Sequence, residues 1–317
     1  MKDMSPPKLK FDFILLGARK CATTSLYAAL RSHPELCLPY DKEIDLFAEE
    51  EAYALGESYW RSYYQNDWDS TKNLKVGNCH TCYLYHPHVP ERLKQHNASL
   101  KLIVTIREPI ARAKSDYIYH KRLGLERRTF KEAIIQQLEG QESSNPGFTD
   151  RYLFSGLYSE HLSRYLQMFG KEQVQIIFFE DLARQPNEWL QKVFQFLDIG
   201  TSFIPPSAAM SKNKASLPIV PSLSRAIIQF RLFPNRRTKA LIRQLFGNTL
   251  LVNMKQSLDK FERSLLRPSS HDLIGQEMDK MLQEYYHDEI IKIKELMGGR
   301  LPEQWEACLT SYQCQNI

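Results

Sequence analysis

An apolar run followed by a polar loop and a helix is the feature that most constrains the fold. Residues 10–16 (KFDFILL) have the length and apolar character of a buried strand, residues 17–25 form a polar loop, and residues 26–32 have helical character. The first turn of a helix presents backbone N–H groups and the positive end of the helix dipole. Strand, loop and helix in this order predict an anion-binding site at the end of the first strand.

The side chains of the loop indicate the kind of anion site. Lys20 adds a full charge, and Thr23, Thr24 and Ser25 add hydroxyl donors. Hydroxyl residues are also common at ordinary capped helix starts, but three in succession beside a lysine favour a ligand. A phosphate-binding P-loop requires G-x-x-x-x-G-K-S/T, whereas Lys20 precedes the two threonines. A P-loop-type nucleotide kinase is therefore only the alternative, and the lack of G-x-G-x-x-G argues against a dinucleotide-dependent dehydrogenase.

Further strands and helices alternate along the chain. Strands are predicted at residues 35–39, 75–78, 101–107 and 174–179, and helices at 48–64, 88–96, 109–120, 159–169, 187–197 and 271–298. The apolar run at 101–107 is typical of a central parallel strand that is covered on both faces. The alternation predicts one α/β domain over residues 1–317, with a central parallel sheet flanked by helices. Residues 1–9 are expected to be a flexible N-terminus, and residues 202–270 a loop and helical cap region.

A second candidate anion site follows the central strand. Arg107 stands at the carboxyl end of that strand, where ligands bind in open α/β sheets. Ser115 lies about two turns further along the next helix. A guanidinium with a hydroxyl group suits a terminal phosphate, although Arg107 by itself would equally suit a surface ion pair. Together with the first loop, these residues predict two phosphate-binding sites on neighbouring strands.

Charge and hydropathy narrow the class of protein further. The net charge of +5 is mild, whereas nucleic-acid-binding domains carry a stronger and more clustered excess. A small polyanionic ligand fits this balance, and no nucleic-acid partner is expected. No apolar run approaches the roughly 18–20 residues of a membrane span. Stable membrane insertion is therefore not expected, and the protein is expected in the cytoplasm. The oligomeric state stays open.

The six cysteines are too sparse for a disulfide scaffold. Cys79 and Cys82 form one C-x-x-C pair, but a zinc site needs two further ligands, and no second C-x-x-C or H-x-x-x-H supplies them. Reduced, unrelated thiols are preferred to a redox pair, and no metal site is predicted.

The two loops also carry a family resemblance. Residues 17–26 (GARKCATTSL) resemble the P-loop-like 5′-phosphosulfate loop of sulfotransferases that use 3′-phosphoadenosine 5′-phosphosulfate (PAPS). Residues 107–117 resemble the 3′-phosphate motif of that family, R-x-P-x-x-R-x-x-S-x-Y. The heparan-sulfate-type and bacterial branch of the family is the most similar. Further matches lie at residues 33–34 (H-P), 42–47 (K-E-x-x-F-F, with Leu46 for the first Phe), 158–186 and 301–305.

The resemblance implies sulfuryl transfer from PAPS, which leaves 3′-phosphoadenosine 5′-phosphate (PAP). Lys20 would stabilise charge on the leaving oxygen, and Arg107 and Ser115 would bind the 3′-phosphate. Glu43 matches the family's catalytic glutamate, and a raised pKa would suit a base. Apart from the resemblance, a surface ion pair with Lys42 or Arg19 is the preferred explanation of Glu43. No metal is required, because the cations already offset the charge of the ligand. The 5′-phosphate would lie against the backbone of Cys21, Ala22, Thr23, Thr24 and Ser25.

Departures from the family pattern concern the acceptor. Asp45 replaces a histidine that heparan-type relatives often carry, and residues 77–81 (GNCHT) replace a G-E-K-S/T-P segment that lines the acceptor pocket. These losses predict a small-molecule acceptor, a hydroxyl or amine of a bacterial natural product such as an alkaloid toxin, with glycan O- or N-sulfation as the alternative. His80 is the second candidate base. A loop of the cap region is predicted to clamp the nucleotide through Lys212, Asn213 and Lys214.

Overall fold

A five-stranded parallel sheet lies at the centre of the fold. The computed structural model describes residues 9–39, 41–64, 72–141, 151–206, 216–218, 257, 266–268 and 277–313. The strands of the sheet are β1 (Phe13–Gly17), β2 (Leu36–Cys37), β3 (Lys75–Cys79), β4 (Lys101–Ile106) and β5 (Val174–Phe178). Their order is β2-β3-β1-β4-β5, and every neighbouring pair is parallel. The predicted α/β fold with a central parallel sheet is confirmed.

Helices connect the strands and flank the sheet. They are α1 (Thr23–Arg31), α2 (Glu50–Arg61), α3 (Val89–His96), α4 (Pro109–Arg122), α5 (Phe130–Leu138), α6 (Tyr158–Phe169), α7 (Phe179–Arg184), α8 (Pro186–Phe196), α9 (Glu277–Leu296) and α10 (Glu303–Gln313). The sequence analysis missed α5, α7 and α10. A capping box between Thr129 and Glu132 begins α5, which is a signal that the sequence carries. Within the described part of the chain, no helix is both long and apolar enough to cross a membrane.

The sheet is buried on both of its faces. Every residue of β1 and all but the first residue of β4 are buried. Phe13 and Leu15 point to the same face, because strand side chains alternate, and they pack in one cluster with Leu26 of α1 and Phe194 of α8. Ile14 and Leu16, which alternate with them along β1, are buried on the opposite face. Because both faces are buried, the sequences of β1 and β4 are continuous runs of mostly apolar residues.

The chain divides into two compact units. The first consists of Met1–Arg112, Phe154–Asn213 and Lys280–Ile317, and it contains the five-stranded sheet. The second consists of Ala113–Leu153 and Lys214–Asp279, with most of α4, α5 and the antiparallel pair β6 (Ser216–Pro218) and β7 (Leu266–Pro268). A single domain over residues 1–317 stays a prediction. Residues 1–8 and most of the predicted cap region 202–270 lie outside the described residues.

Candidate active site

The loop between β1 and α1 has the backbone geometry of an anion site. Lys20 and Ala22 both adopt left-handed conformations, with φ of 65° and 63°, which residues with a side chain seldom do. Turns that contain left-handed residues direct neighbouring N–H groups into one concavity that suits an anion. Such strain in non-glycine residues is concentrated at functional sites. The conformation therefore supports the ligand-binding role predicted for this loop.

The N-terminus of α1 differs from an ordinary capped helix. Ala22 occupies the N-cap position and makes no side-chain cap, because it has no hydroxyl. Thr23, Thr24 and Ser25 lie inside the first helical turn, one to three residues beyond the cap. The capped helix start that the hydroxyl residues also suggested does not form. First-turn N–H groups and the positive helix end instead face the loop, where an anion is stabilised.

Hydrogen bonds to β4 hold this loop in place. The Ala18 N–H donates to the Thr105 carbonyl oxygen at 2.7 Å, and Thr105 Oγ1 donates to the Gly17 carbonyl oxygen at 3.2 Å. A Cβ atom at Gly17, whose φ is +127°, would lie 2.8 Å from the Thr81 carbonyl oxygen, so glycine is required there. Burial raises the pKa of the Cys21 thiol to about 12. Cys21 therefore offers a ligand its backbone and not a reactive thiolate.

Arg107 lies against the same loop. Its guanidinium donates to the carbonyl oxygen of Lys20 at 3.4 Å and lies 4.6 Å from the ring centroid of Phe179. The Tyr158 hydroxyl donates to the Arg107 carbonyl oxygen at 2.9 Å. Arg107, from the second motif, thus lies against the Lys20 backbone of the first, where β1 and β4 end. Ser115 lies on α4 in the second unit.

A buried carboxylate, Glu108, and a half-buried one, Glu180, fix the main chain beside Arg107. Glu180 accepts hydrogen bonds from the Glu108 N–H at 2.9 Å and from the Trp305 indole N–H at 3.1 Å. Glu108 in turn accepts from two N–H groups of the first turn of α4, at 2.7 and 2.8 Å. Burial raises the pKa of both carboxyls. A cleft of about 690 Å³ borders Arg107 here. The sequence analysis covered Glu180 and Trp305 only within the segments that match the family. It did not predict that Glu180 accepts hydrogen bonds from the Glu108 N–H and the Trp305 indole.

Glu43 is held at the carboxyl end of β3. Its backbone is left-handed, with φ of 65°, and its N–H donates to the Cys79 carbonyl oxygen at 3.1 Å. Carboxylate oxygen Oε2 accepts from the Thr81 N–H at 2.7 Å and from Thr81 Oγ1 at 2.9 Å. The Lys42 ammonium pairs with the other oxygen, Oε1. About a third of the side chain (36%) stays exposed, so an acceptor can reach this fixed carboxylate.

The pKa of Glu43 departs from the sequence-based expectation. Burial alone would raise it, but the Lys42 ammonium, His80 and the hydrogen bond from the Thr81 N–H together outweigh burial and lower the pKa to about 2. The expectation of a raised pKa is therefore wrong, because the ion pair considered as an alternative does form. Glu43 is ionised throughout the neutral range when no ligand is bound.

Lys42 connects the two halves of the site. Its ammonium donates to Thr23 Oγ1 at 3.2 Å, at the first position of α1, as well as pairing with Glu43. The side chain is only 15% exposed. The sequence analysis quoted Lys42 within the K-E-x-x-F-F element and as an alternative ion-pair partner of Glu43, but it did not predict the contact with Thr23. The match to the K-E-x-x-F-F element was the sequence signal that could have drawn attention to Lys42.

Both ring nitrogens of His80 face protein groups. Nδ1 accepts from the Cys82 N–H at 3.3 Å, so the ring proton of the neutral form belongs on Nε2, which lies 4.0 Å from Asp45 Oδ2. The ring also stacks on Tyr83, with centroids 4.9 Å apart. This geometry suits a positioning role better than proton abstraction, and His80 as a base stays a prediction. Asp45 itself accepts from the Ala48 N–H at 2.8 Å.

The nucleotide clamp predicted at Lys212, Asn213 and Lys214 lies outside the described residues. In the part of the chain that is described, no group of three or more His, Cys, Asp or Glu side chains is gathered as a metal site would be. Cys79 is a free cysteine, and burial raises the pKa of its thiol to about 12.

Fold and site together define an α/β protein with a candidate anion site at the carboxyl edge of its sheet. The family model described as "Sulfotransferase domain" matches residues 10–216. The chain belongs to the sulfotransferase domain family, as the two loop motifs predicted.

Named relatives and a solved structure agree with this membership. The chain is 29% identical over 203 residues to mouse heparan sulfate glucosamine 3-O-sulfotransferase 5, covering 59% of this chain and 53% of the relative. It is 26% identical over 273 residues to mouse carbohydrate sulfotransferase 15, covering 64% and 46%. The chain thus spans about half the length of these curated relatives. A sulfotransferase from Alicyclobacillus acidocaldarius shares the fold, with a TM-score of 0.64 and 21% identity over 94% of this chain and 99% of that one.

Proposed function

We propose that this protein transfers the sulfuryl group of PAPS to a hydroxyl or amine and releases PAP. The observation that carries the proposal is the arrangement around the start of α1. Lys20 lies within a loop of left-handed residues, and Arg107 donates to its carbonyl oxygen. The ionised Glu43 is connected to the same helix start through Lys42. These groups suit a ligand with two anionic ends and a reacting centre between them.

The reaction assigns a distinct task to each group. The acceptor oxygen or nitrogen forms a bond to sulfur while the bond from sulfur to the bridging phosphate oxygen breaks, and PAP leaves with that electron pair. Transfer of this type passes through a loose, in-line transition state with charge on the leaving oxygen. Lys20 stabilises that charge, while the first-turn N–H groups of α1 hold the 5′-phosphate. Glu43 accepts the proton of the acceptor, and Thr81 fixes the direction of its carboxylate.

The altered acceptor segment supports a small-molecule acceptor. Asn78 is 1% exposed and donates inward to the Ile44 carbonyl oxygen at 3.3 Å, and Thr81 is used to hold Glu43. Residues 77–81 therefore direct no lysine or arginine side chain toward a sulfated chain. The names of the curated relatives favour a glycan instead. Incubation with radiolabelled PAPS and either hydroxylated small molecules or desulfated glycans separates the two, and label transferred only to glycan would contradict the small-molecule assignment.

Binding of PAP is expected to stabilise the fold. At ~100 times its dissociation constant, a ligand that binds only the native state adds about 2.7 kcal/mol to the free energy of unfolding. Thermal unfolding with PAP, with adenosine 5′-monophosphate and with ATP plus magnesium measures this. The monophosphate lacks the 3′-phosphate assigned to Arg107 and should stabilise less. Stabilisation by ATP with magnesium but not by PAP would favour the P-loop-type kinase and overturn the proposal.

The pH dependence of turnover follows from the lowered pKa of Glu43. A carboxyl with a pKa of about 2 stays ionised as the pH falls through the usual glutamate range. The ratio of kcat/KM for PAPS between wild type and Glu43→Gln should therefore stay constant from about pH 4.5 to about pH 8. Titration of the donor cancels in this ratio. A ratio that falls toward the acidic end would indicate a raised pKa in the free enzyme.

Two further aspects of the function are proposed from the sequence. The cations at Lys20 and Arg107 offset the charge of PAPS, so turnover should persist in the presence of a chelator. A cytoplasmic location also stays a prediction, which fractionation of the source cells tests.

A further inference from the structure

Lys42 stands between two groups that accept hydrogen bonds from its ammonium. One is the Glu43 carboxylate, with which its ammonium pairs. The other is the Thr23 hydroxyl oxygen at the start of α1, to which the same ammonium donates at 3.2 Å. Thr23 is the first helical residue and is 5% exposed. The ammonium therefore already lies at the helix terminus to which the reacting end of the donor is assigned.

A bound donor would change the balance between these two positions. Without a ligand, Glu43 is the anion that faces Lys42, and the opposing helix end is positive. A phosphosulfate at that end brings anionic oxygens to within reach of the same ammonium. Charge-assisted hydrogen bonds to such oxygens are strong, and one ammonium has only three donors to share.

Resting on the proposed function, we propose that Lys42 binds the sulfuryl end of PAPS and loosens its hold on Glu43 when the donor binds. Lys42 thereby acts twice. It contacts the transferred group, and it keeps the carboxylate in place until a donor is present.

Loss of the ion pair makes Glu43 a stronger base. The groups that face its carboxylate are Lys42 beside it, Thr81 and His80 beyond the end of β3, and the Cys79 thiol, with Asp45 behind His80. Lys42 is the strongest of the groups that lower the Glu43 pKa. A sulfuryl group adds negative charge near the carboxylate, which raises the pKa further. The pairing thus couples base strength to the presence of the donor.

Replacement of Lys42 by methionine separates this role from a structural one. PAPS carries the sulfuryl group and PAP does not, so Lys42→Met should weaken PAPS binding by about tenfold to a hundredfold and leave PAP binding nearly unchanged. Calorimetric titration of each nucleotide without acceptor measures both constants. Lys42→Arg, which keeps the charge, should retain most of the preference for PAPS. Lys192→Met is the matched control, because Lys192 pairs with Glu188 at 2.7 Å on the surface of α8.

If Lys42→Met weakens the binding of PAPS and of PAP equally, the role of Lys42 is structural and the assignment is overturned. The assignment is also overturned if neither affinity changes.

A second measurement needs only wild type and Glu43→Gln. At saturating PAPS, the ratio of their kcat/KM values for the acceptor should fall as the pH is lowered, whereas the ratio for PAPS stays flat. Flat ratios for both substrates contradict the loosening. If wild type binds neither nucleotide, the proposed function fails; if it binds both and Lys42→Met keeps their relative affinity, only the role of Lys42 fails.

Discussion

Replacement of Lys20 by alanine is expected to abolish measurable sulfuryl transfer, lowering kcat by roughly 10³-fold or more. Lys20 follows β1 in the left-handed loop at the start of α1, where a full charge is available for the leaving oxygen. Its contribution is largest in the transition state, because negative charge on that oxygen grows as the bond to sulfur breaks. Transfer of label from radiolabelled PAPS to the acceptor measures the loss.

The binding of PAP distinguishes a catalytic defect from a damaged site. The first-turn N–H groups of α1 and the Arg107 guanidinium remain in Lys20→Ala, so PAP should still stabilise the variant. Lys192→Ala, on the surface of α8, should retain full turnover. Wild-type turnover in Lys20→Ala would end the assignment of Lys20 to the leaving group.

Replacement of Glu43 by glutamine is expected to lower kcat by roughly 10²–10⁴-fold, the usual contribution of a positioned base. Glutamine keeps the size of the side chain and one oxygen that can accept from Thr81. It removes the negative charge that takes up the acceptor's proton. Steady-state kinetics at saturating PAPS and acceptor measures the change, and the affinity for PAP should stay close to that of wild type.

Glu188→Gln is the matched control for this variant, because Glu188 is also a carboxylate paired with a lysine. It should leave kcat unchanged. Near-wild-type turnover in Glu43→Gln would move the role of base to His80, and His80→Gln would then be expected to carry the loss. With Glu43 as the base, His80→Gln should have the smaller effect, since both ring nitrogens of His80 face protein groups.

Local sequence accounts for much of the fold because its strongest signals are short-range. The apolar runs of β1, β4 and β5 predicted strands because burial on both faces requires apolar residues at every position. α7 was missed because it is six residues long and follows β5 without a break. α5 was missed although its capping box lies in the sequence.

The candidate site divides in the same way. By itself, the sequence predicted the anion loop with Lys20 and the second cation Arg107, since motifs bind phosphate through backbone and charge at fixed short spacing. The family resemblance added the candidate base Glu43. Only the tertiary structure decided what each charge faces. It joined Lys42 to both Glu43 and Thr23, held Glu43 against Thr81 and lowered its pKa to about 2. The pKa of a group depends on the burial and charges that folding brings around it, and sequence spacing does not contain these.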